Sequence, residues 1–259
     1  MRKIICFIIL VVFALGAFVS GYHILRIKNE YQSGESFYSE LKEYVREQDP
    51  TPSESLESEK RSQSDTEPKL PSIDFAALQD INNDVIGWIQ IDGCGIDYPI
   101  VQGNDNFYYL KHLFDNSYNI NGCIFLDCRN SSDFIDRNSV IFGHHMQNGT
   151  MFSNLDLYKK QAFYDVHPSY LLHTLQADYI VDIFAGYVSN LQNDAWRVTF
   201  EDDEDYSSWL DEQMQQSLIQ CSVTPSCEDR IVTLSTCSYE FDNARFVLFG
   251  VIRADDSLK

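Results

Sequence analysis

The sequence predicts a mainly β domain, a barrel or sandwich with added helices. Three observations carry this. Seven short segments between residues 85 and 252 are rich in Val, Ile and aromatic residues and are punctuated by turn residues. Only one later stretch in that region repeats apolar residues at helical spacing. Apolar residues make up 44% and aromatic residues 14% of 259 residues, which is enough to fill a core of domain size without disulfide staples.

The elements follow in chain order. Arg2 and Lys3 precede an apolar run over 4–25, about the 20 residues that a helix needs to cross a bilayer. A cleaved signal peptide is the rival reading, with an apolar region of roughly 7–15 residues ending at a small-x-small site. Ala14, Gly16 and Ala17 make a poor version of that site inside the run, so residues 1–28 read as an uncleaved anchor. Arg26 and Lys28 flank the far end and blunt the positive-inside signal, so charge alone does not orient the segment. Residues 29–72 are polar. The first part, 29–47, reads as a helical stalk, and 48–72, rich in Pro, Ser and Glu, buries too little surface to fold and reads as a tether.

The folded domain is expected over 73–259. Asp74 is placed to cap a short helix carrying Phe75, Leu78 and Ile81 on one side. Strands are expected at Val85–Ile91, Ile96–Val101, 123–126, 139–142, 179–188, 230–236 and 246–252, with turns at Asp92-Gly93 and Asn121-Gly122. Tyr206, Leu210, Met214 and Leu218 recur every four residues behind the acidic run 201–205, which suits the N-terminus of a helix.

The formal charge of −20 argues against nucleic acid as a partner, because phosphate binding needs clustered Lys and Arg. Of seven cysteines, Cys6 lies in the apolar run and six lie in the body. None forms a CxxC pair or stands beside a His cluster, which argues against zinc. Disulfides between Cys123 and Cys128 or Cys221 and Cys227, or free buried thiols, both stay open. The acidic run 201–205 lacks the interleaved ligand spacing of a calcium loop and reads as a solvated helix start. His112, His167 and His173 read as surface or structural residues.

Three features stand at strand ends. Gly143-His144-His145 follows the strand ending at Phe142, Cys237 ends a strand, and Arg245 opens the last one. If the last two strands pair as a hairpin, Cys237 and Arg245 face each other across its open end. A guanidinium beside a thiol favours the thiolate, the nucleophilic form. A nearby His then donates or accepts the proton.

Thr233-Leu234-Ser235-Thr236-Cys237, followed eight positions later by Arg245, resembles the sortase signature TLxTC…R. Gly143-His144 after Val140-Ile141-Phe142 is similar to that family's histidine motif, and the order His, Cys, Arg is also the family's. The resemblance spans about 73–252. Tyr98-Pro99-Ile100-Val101-Gln102, Asp105-Asn106-Phe107-Tyr108-Tyr109-Leu110, and Ile124-Phe125-Leu126-Asp127 with Arg129-Asn130 look like class B of the family, as does a helical insertion before the cysteine strand.

The resemblance implies an eight-stranded β-barrel with N-terminal helices and one helix inserted before the cysteine strand. It implies a membrane-anchored, single-pass cysteine transpeptidase on the outer face of a Gram-positive cell; the cysteine and acidic spacings lead to an expectation of no cofactor and no metal. Its partners would be secreted proteins bearing a C-terminal sorting motif, and a peptidoglycan precursor or a pilin amine as acceptor. Cys237 would be the nucleophile, His144 the proton carrier and Arg245 the oxyanion and backbone clamp. Asn106, Leu110, Trp196, Ser235 and Thr236 would contact substrate, Ser235 because it shares the strand face of Cys237. His145, one residue on, should point away from the site. A hydrolytic cysteine protease on the same residues and an anchored, non-enzymatic binding module are the alternatives.

Overall fold

The computed structural model describes residues 2–46, 71–190 and 192–254. In chain order these hold α1 (Arg2–Leu41), β1 (Val45–Arg46), β2 (Ser72–Ile73), α2 (Phe75–Ile81), β3 (Val85–Ile91), β4 (Ile96–Val101), β5 (Ile124–Leu126) and β6 (Asn138–Phe142). They continue with α3 (Gln161–Tyr164), β7 (Ser169–Thr174), β8 (Asp178–Ser189), α4 (Asp203–Gln216), β9 (Ile231–Cys237) and β10 (Arg245–Ala254). Short 3-10 turns stand at Lys42–Tyr44, Tyr108–Leu110 and Ser153–Lys159.

Strands β3 to β10 close into an eight-stranded barrel in the order β10-β8-β7-β3-β4-β5-β6-β9. The pairs β4–β5 and β6–β9 are parallel and the others antiparallel. Closure leaves no free sheet edge. Trp88, Ile89, Ile100, Leu172, Val181, Leu234, Phe246 and Leu248 fill the main core and are fully buried. Phe184, Tyr187, Val247 and Phe249 form a second core with α4 on the outside of the barrel. Because β10 is buried on both faces, Phe246-Val247-Leu248-Phe249 reads as a continuous apolar run and not as an alternation.

Asp74 caps α2 by accepting from the Ala77 N–H at 3.1 Å, as its sequence position predicts. The expected strands are all present. The additional strand β7 lies between β3 and β8. Its polar members hid it from the sequence pattern, and tertiary partners satisfy them. His173 is buried with Nδ1 2.7 Å from Asp178 Oδ1 and Nε2 3.2 Å from Gln90 Oε1.

Helix α4 begins where the acidic run predicts, with Asp202 accepting from the Asp205 N–H at 2.9 Å. Its buried face is Tyr206, Trp209, Leu210 and Gln213. Met214 is only half-buried, and Leu218 lies beyond the helix end and is exposed. A strict four-residue spacing drifts about 40° per step around a helix of 3.6 residues per turn, so it leaves the barrel face. The Trp209 ring packs on Phe249 at 5.9 Å, and its Nε1 donates to Asp194 O at 2.8 Å. Trp209→Ala should therefore lower unfolding free energy by about 3–5 kcal/mol, measured by urea denaturation.

Helix α1 departs from the expected stalk. It runs unbroken to Leu41, and Tyr31, Gly34, Tyr38 and Leu41 repeat at three- and four-residue spacing along the stripe that meets the barrel. Tyr38 and Leu41 are 4% and 3% exposed. The Tyr38 hydroxyl donates to Gly122 O at 2.6 Å, and Asn119 Nδ2 donates to Glu30 O at 3.0 Å. A side chain at Gly34 would meet Asn121 Nδ2 at 2.2 Å, so the absence of Cβ permits this close approach. The strand pair Val45↔Ile73 and Arg46↔Ser72 then links the helix end to the start of the barrel domain. The folded unit thus recruits residues ahead of 73, because a single stripe of large side chains suffices to dock an otherwise polar helix. The tether expected over 48–72 lies almost wholly outside the described residues. Towards its start α1 is apolar and exposed, and it is long and apolar enough to cross a membrane.

Candidate active site

The last two strands form the expected hairpin, and Cys237 pairs with Arg245 in its register. The loop between them closes through Ser238 N–H to Ala244 O at 2.9 Å and Ala244 N–H to Phe241 O at 3.1 Å. Asn243 takes the left-handed turn conformation, φ 61°, which Asn tolerates better than most residues. Strand β6 runs parallel to β9 on the other side. Phe142 pairs with Ser235, and the Gly143 N–H donates to Ser235 O at 3.1 Å. The chain therefore leaves the ladder at His144 beside the end of the cysteine strand. A Cβ on Gly143 would fall 2.5 Å from Ile124 Cδ1 and 2.6 Å from the Phe152 ring, so this exit requires glycine.

These elements enclose a cavity of about 360 Å³. Its wall brings together His144, Cys237 and Arg245 with Asn106, Leu110, Ser235 and Thr236. Phe125, Phe142 and Gly143, which sequence reasoning did not single out as site residues, complete it. His144 Nε2 lies 2.7 Å from Leu110 O. A carbonyl only accepts, so Nε2 carries the proton and the lone pair of the neutral ring sits on Nδ1. Among the described residues Arg245 bonds through Nη1 to Ala244 O at 2.9 Å, which leaves donors of its fork for a ligand. Thr236 Oγ1 is buried without a hydrogen-bond partner among the described groups.

Trp196 is not part of the cavity wall. Its Nε1 instead donates to Ser235 Oγ at 2.9 Å and orients that hydroxyl from behind. Trp196 O in turn accepts from Arg129 Nη2 at 3.1 Å. Arg129 forks onto Asp127 at 3.0 and 2.7 Å. Burial pushes the Asp127 carboxyl up, but the bonds from Arg129 outweigh burial and hold it below its ordinary range. Asn106 accepts from the Cys128 N–H through Oδ1 at 2.8 Å, which fixes its amide at the cavity wall.

His145 turns away from the cavity. Its Nε2 is 3.3 Å from Asp156 Oδ2, and its ring stands edge-on to Tyr239 at 5.1 Å. Asp156 Oδ1 pairs with Lys159 Nζ at 2.8 Å. Lys159 also donates to Ser238 Oγ at 2.8 Å and Glu240 Oε1 at 2.6 Å. Lys159 thereby clasps the loop between Cys237 and Arg245 to the segment that follows His144. Its partners are about 80 residues apart in the chain, so no local pattern signals the clasp.

The Lys159 bond, then the Ser238 bond, lower the Glu240 carboxyl to about 2. A depressed carboxylate stabilises the fold above the ordinary Glu range near 4.3 and loses that contribution as pH falls through its folded value. Glu240 is well exposed, so the stabilisation is small and salt-screened. Carbon-13 NMR titration should place the Glu240 midpoint near 2, and Lys159→Met should return it towards the ordinary value.

All six body cysteines are unpaired, so neither suggested disulfide forms. The acidic run is consumed by structure. Asp202 caps α4, Asp203 pairs with Arg137, and Asp205 pairs with Arg197.

A closed barrel that brings a thiol, an imidazole and a guanidinium to the wall of the same cavity has the form of a cysteine transpeptidase. Residues 89–253 match the Sortase domain family. The chain is 36% identical to Sortase B of Staphylococcus aureus over 180 residues, covering 69% of this chain and 74% of that protein. It is 38% identical to Sortase B of Listeria monocytogenes over 175 residues, covering 67% and 71%. A structure described as a Staphylococcus aureus sortase B–substrate complex superposes with a TM-score of 0.67 at 34% identity, covering 70% of this chain and 85% of that one. The chain belongs to the sortase family, in its class B, and is a cysteine transpeptidase. This removes the reading as a non-enzymatic binding module.

Proposed function

We propose that this transpeptidase cuts the C-terminal sorting signal of secreted proteins after a Thr and joins the new carboxyl to a cell-wall precursor amine, through a thioester on Cys237. His144 Nδ1 takes the Cys237 thiol proton, and the sulfur attacks the Thr carbonyl. As the C–N bond breaks, the leaving amine takes a proton from His144. The incoming amine then gives a proton to His144 and displaces the sulfur. The exchange runs through Nδ1, since Nε2 is tied to Leu110 O. The Arg245 fork holds the substrate backbone and the developing oxyanion, where one well-placed donor is worth on the order of 3 kcal/mol. Asn106, Leu110, Ser235 and Thr236 shape the groove, and Trp196 acts through Ser235. The apolar start of α1 serves as a single-pass anchor, with the barrel on the outer face of a Gram-positive cell.

The observation that carries this reading is that His144, Cys237 and Arg245 share one cavity. The test is mass spectrometry of products from peptides with Leu-Pro, Asn-Pro and Ser-Pro beginnings, with triglycine or a Lys-bearing pilin-type peptide as acceptor. New amide at Thr, absent in Cys237→Ala, is expected. Use of the Lys acceptor alone would move the assignment to pilus assembly. Hydrolysis alone under every amine would make the enzyme a protease.

A further inference from the structure

Helix α1 makes its lowest polar contact with the barrel, among the described residues, where Glu30 O accepts from Asn119 Nδ2 at 3.0 Å. The apolar run ends near Leu25, five residues earlier. At 1.5 Å per residue this is about 7 Å along the helix, roughly the depth of one headgroup layer. Arg26 and Lys28 occupy the interval, as basic residues do at an anionic interface.

The loop that receives this contact carries a continuous aromatic surface. Tyr108 stacks on His112 at 3.9 Å, and His112 meets Tyr118 edge-on at 5.9 Å. Phe107, Tyr108 and Tyr118 are 77%, 41% and 62% exposed. Tyr118 directly precedes Asn119. The charges on the loop are mixed, with Lys111 exposed and Asp105 and Asp115 opposing it. The surface therefore offers exposed aromatic side chains and not a basic patch. Tyrosine favours this zone because its ring is apolar and its hydroxyl polar.

We infer that the surface of Phe107, Tyr108 and Tyr118 rests in the headgroup layer of the bilayer that α1 crosses. The inference rests on the anchor reading above and adds an orientation to it. A continuous helix docked through Tyr38 and Leu41 leaves the barrel no swivel between membrane and domain. Asn106 and Leu110 flank the aromatic residues and line the active cavity, so the cavity rim lies at the bilayer surface. This geometry suits an acceptor amine carried on a lipid.

The test uses the full chain in phosphatidylglycerol vesicles, with and without bromine on the upper acyl chain. Tyr118→Trp and Phe107→Trp each add emission to that of Trp88, Trp196 and Trp209. Brominated lipid should remove roughly half of the added emission, as expected for a ring in the interfacial belt. The same substitution at Leu218, beside β8 across the barrel, should escape quenching. Phe18→Trp reports on the anchor. Quenching of Phe18→Trp without quenching of either loop variant would overturn the docked orientation alone. No quenching of Phe18→Trp would remove the anchor and the orientation together.

Discussion

Cys237→Ala is expected to abolish peptide transfer, with a loss on the order of 10⁴-fold or more, as when a covalent nucleophile is removed. The residue is the last of β9 and is half-buried, and its backbone pairing with Arg245 does not depend on the sulfur. Stability should therefore change by less than about 1 kcal/mol, the range for sites away from the packed core. Intact-protein mass spectrometry during turnover should show the acyl adduct on the wild type and none on the variant. Residual transfer within tenfold of wild type would remove Cys237 from the mechanism. Arg245→Lys tests the other side of the pair. It keeps the charge but loses the planar fork, and should cost about 10²-fold in kcat. The hairpin register makes this a local change, because Cys237 and Arg245 face each other across two strands that the substitutions leave intact.

His144→Ala should cost about 10²–10⁴-fold in kcat, the usual contribution of general acid–base catalysis. His145→Ala should stay within a few-fold of wild type. The two residues are adjacent, but Leu110 O holds His144 at the cavity, whereas Asp156 holds His145 beside the Lys159 clasp. Added imidazole should partly restore His144→Ala, since the vacated space opens onto the cavity, and should leave His145→Ala unchanged. Equal losses in both variants would overturn the division of roles. A melting point lowered in His145→Ala with kcat preserved is the expected companion result, because that ring packs on Tyr239 and bonds Asp156.

Much of this protein is legible in order of residues. The strand segments, the cap at Asp74, the acidic start of α4 and the hairpin between Cys237 and Arg245 follow from local pattern. In each, the deciding interaction joins residues close in sequence or side chains that repeat at a fixed period. The TLxTC signature adds the pairing of a thiol with a guanidinium, because Cys237 and Arg245 end neighbouring strands.

Other features are decided only in three dimensions. Strand β7 is held by pairing on both sides, which lets a buried His173 sit where periodicity expects an apolar residue. Trp209 reaches the barrel because a helix advances 100° per residue and the contact follows the true turn, not a four-residue spacing. Helix α1 joins the domain through Tyr38 and Leu41, whose partners near Gly122 lie some 80 residues away. The place of Trp196 behind Ser235 and the clasp of Lys159 have the same origin. Sequence alone picked out the thiol, imidazole and guanidinium that share the cavity, and which segments extend. The closed barrel decided which of them meet, since the energy of a contact depends on separation in space and not along the chain.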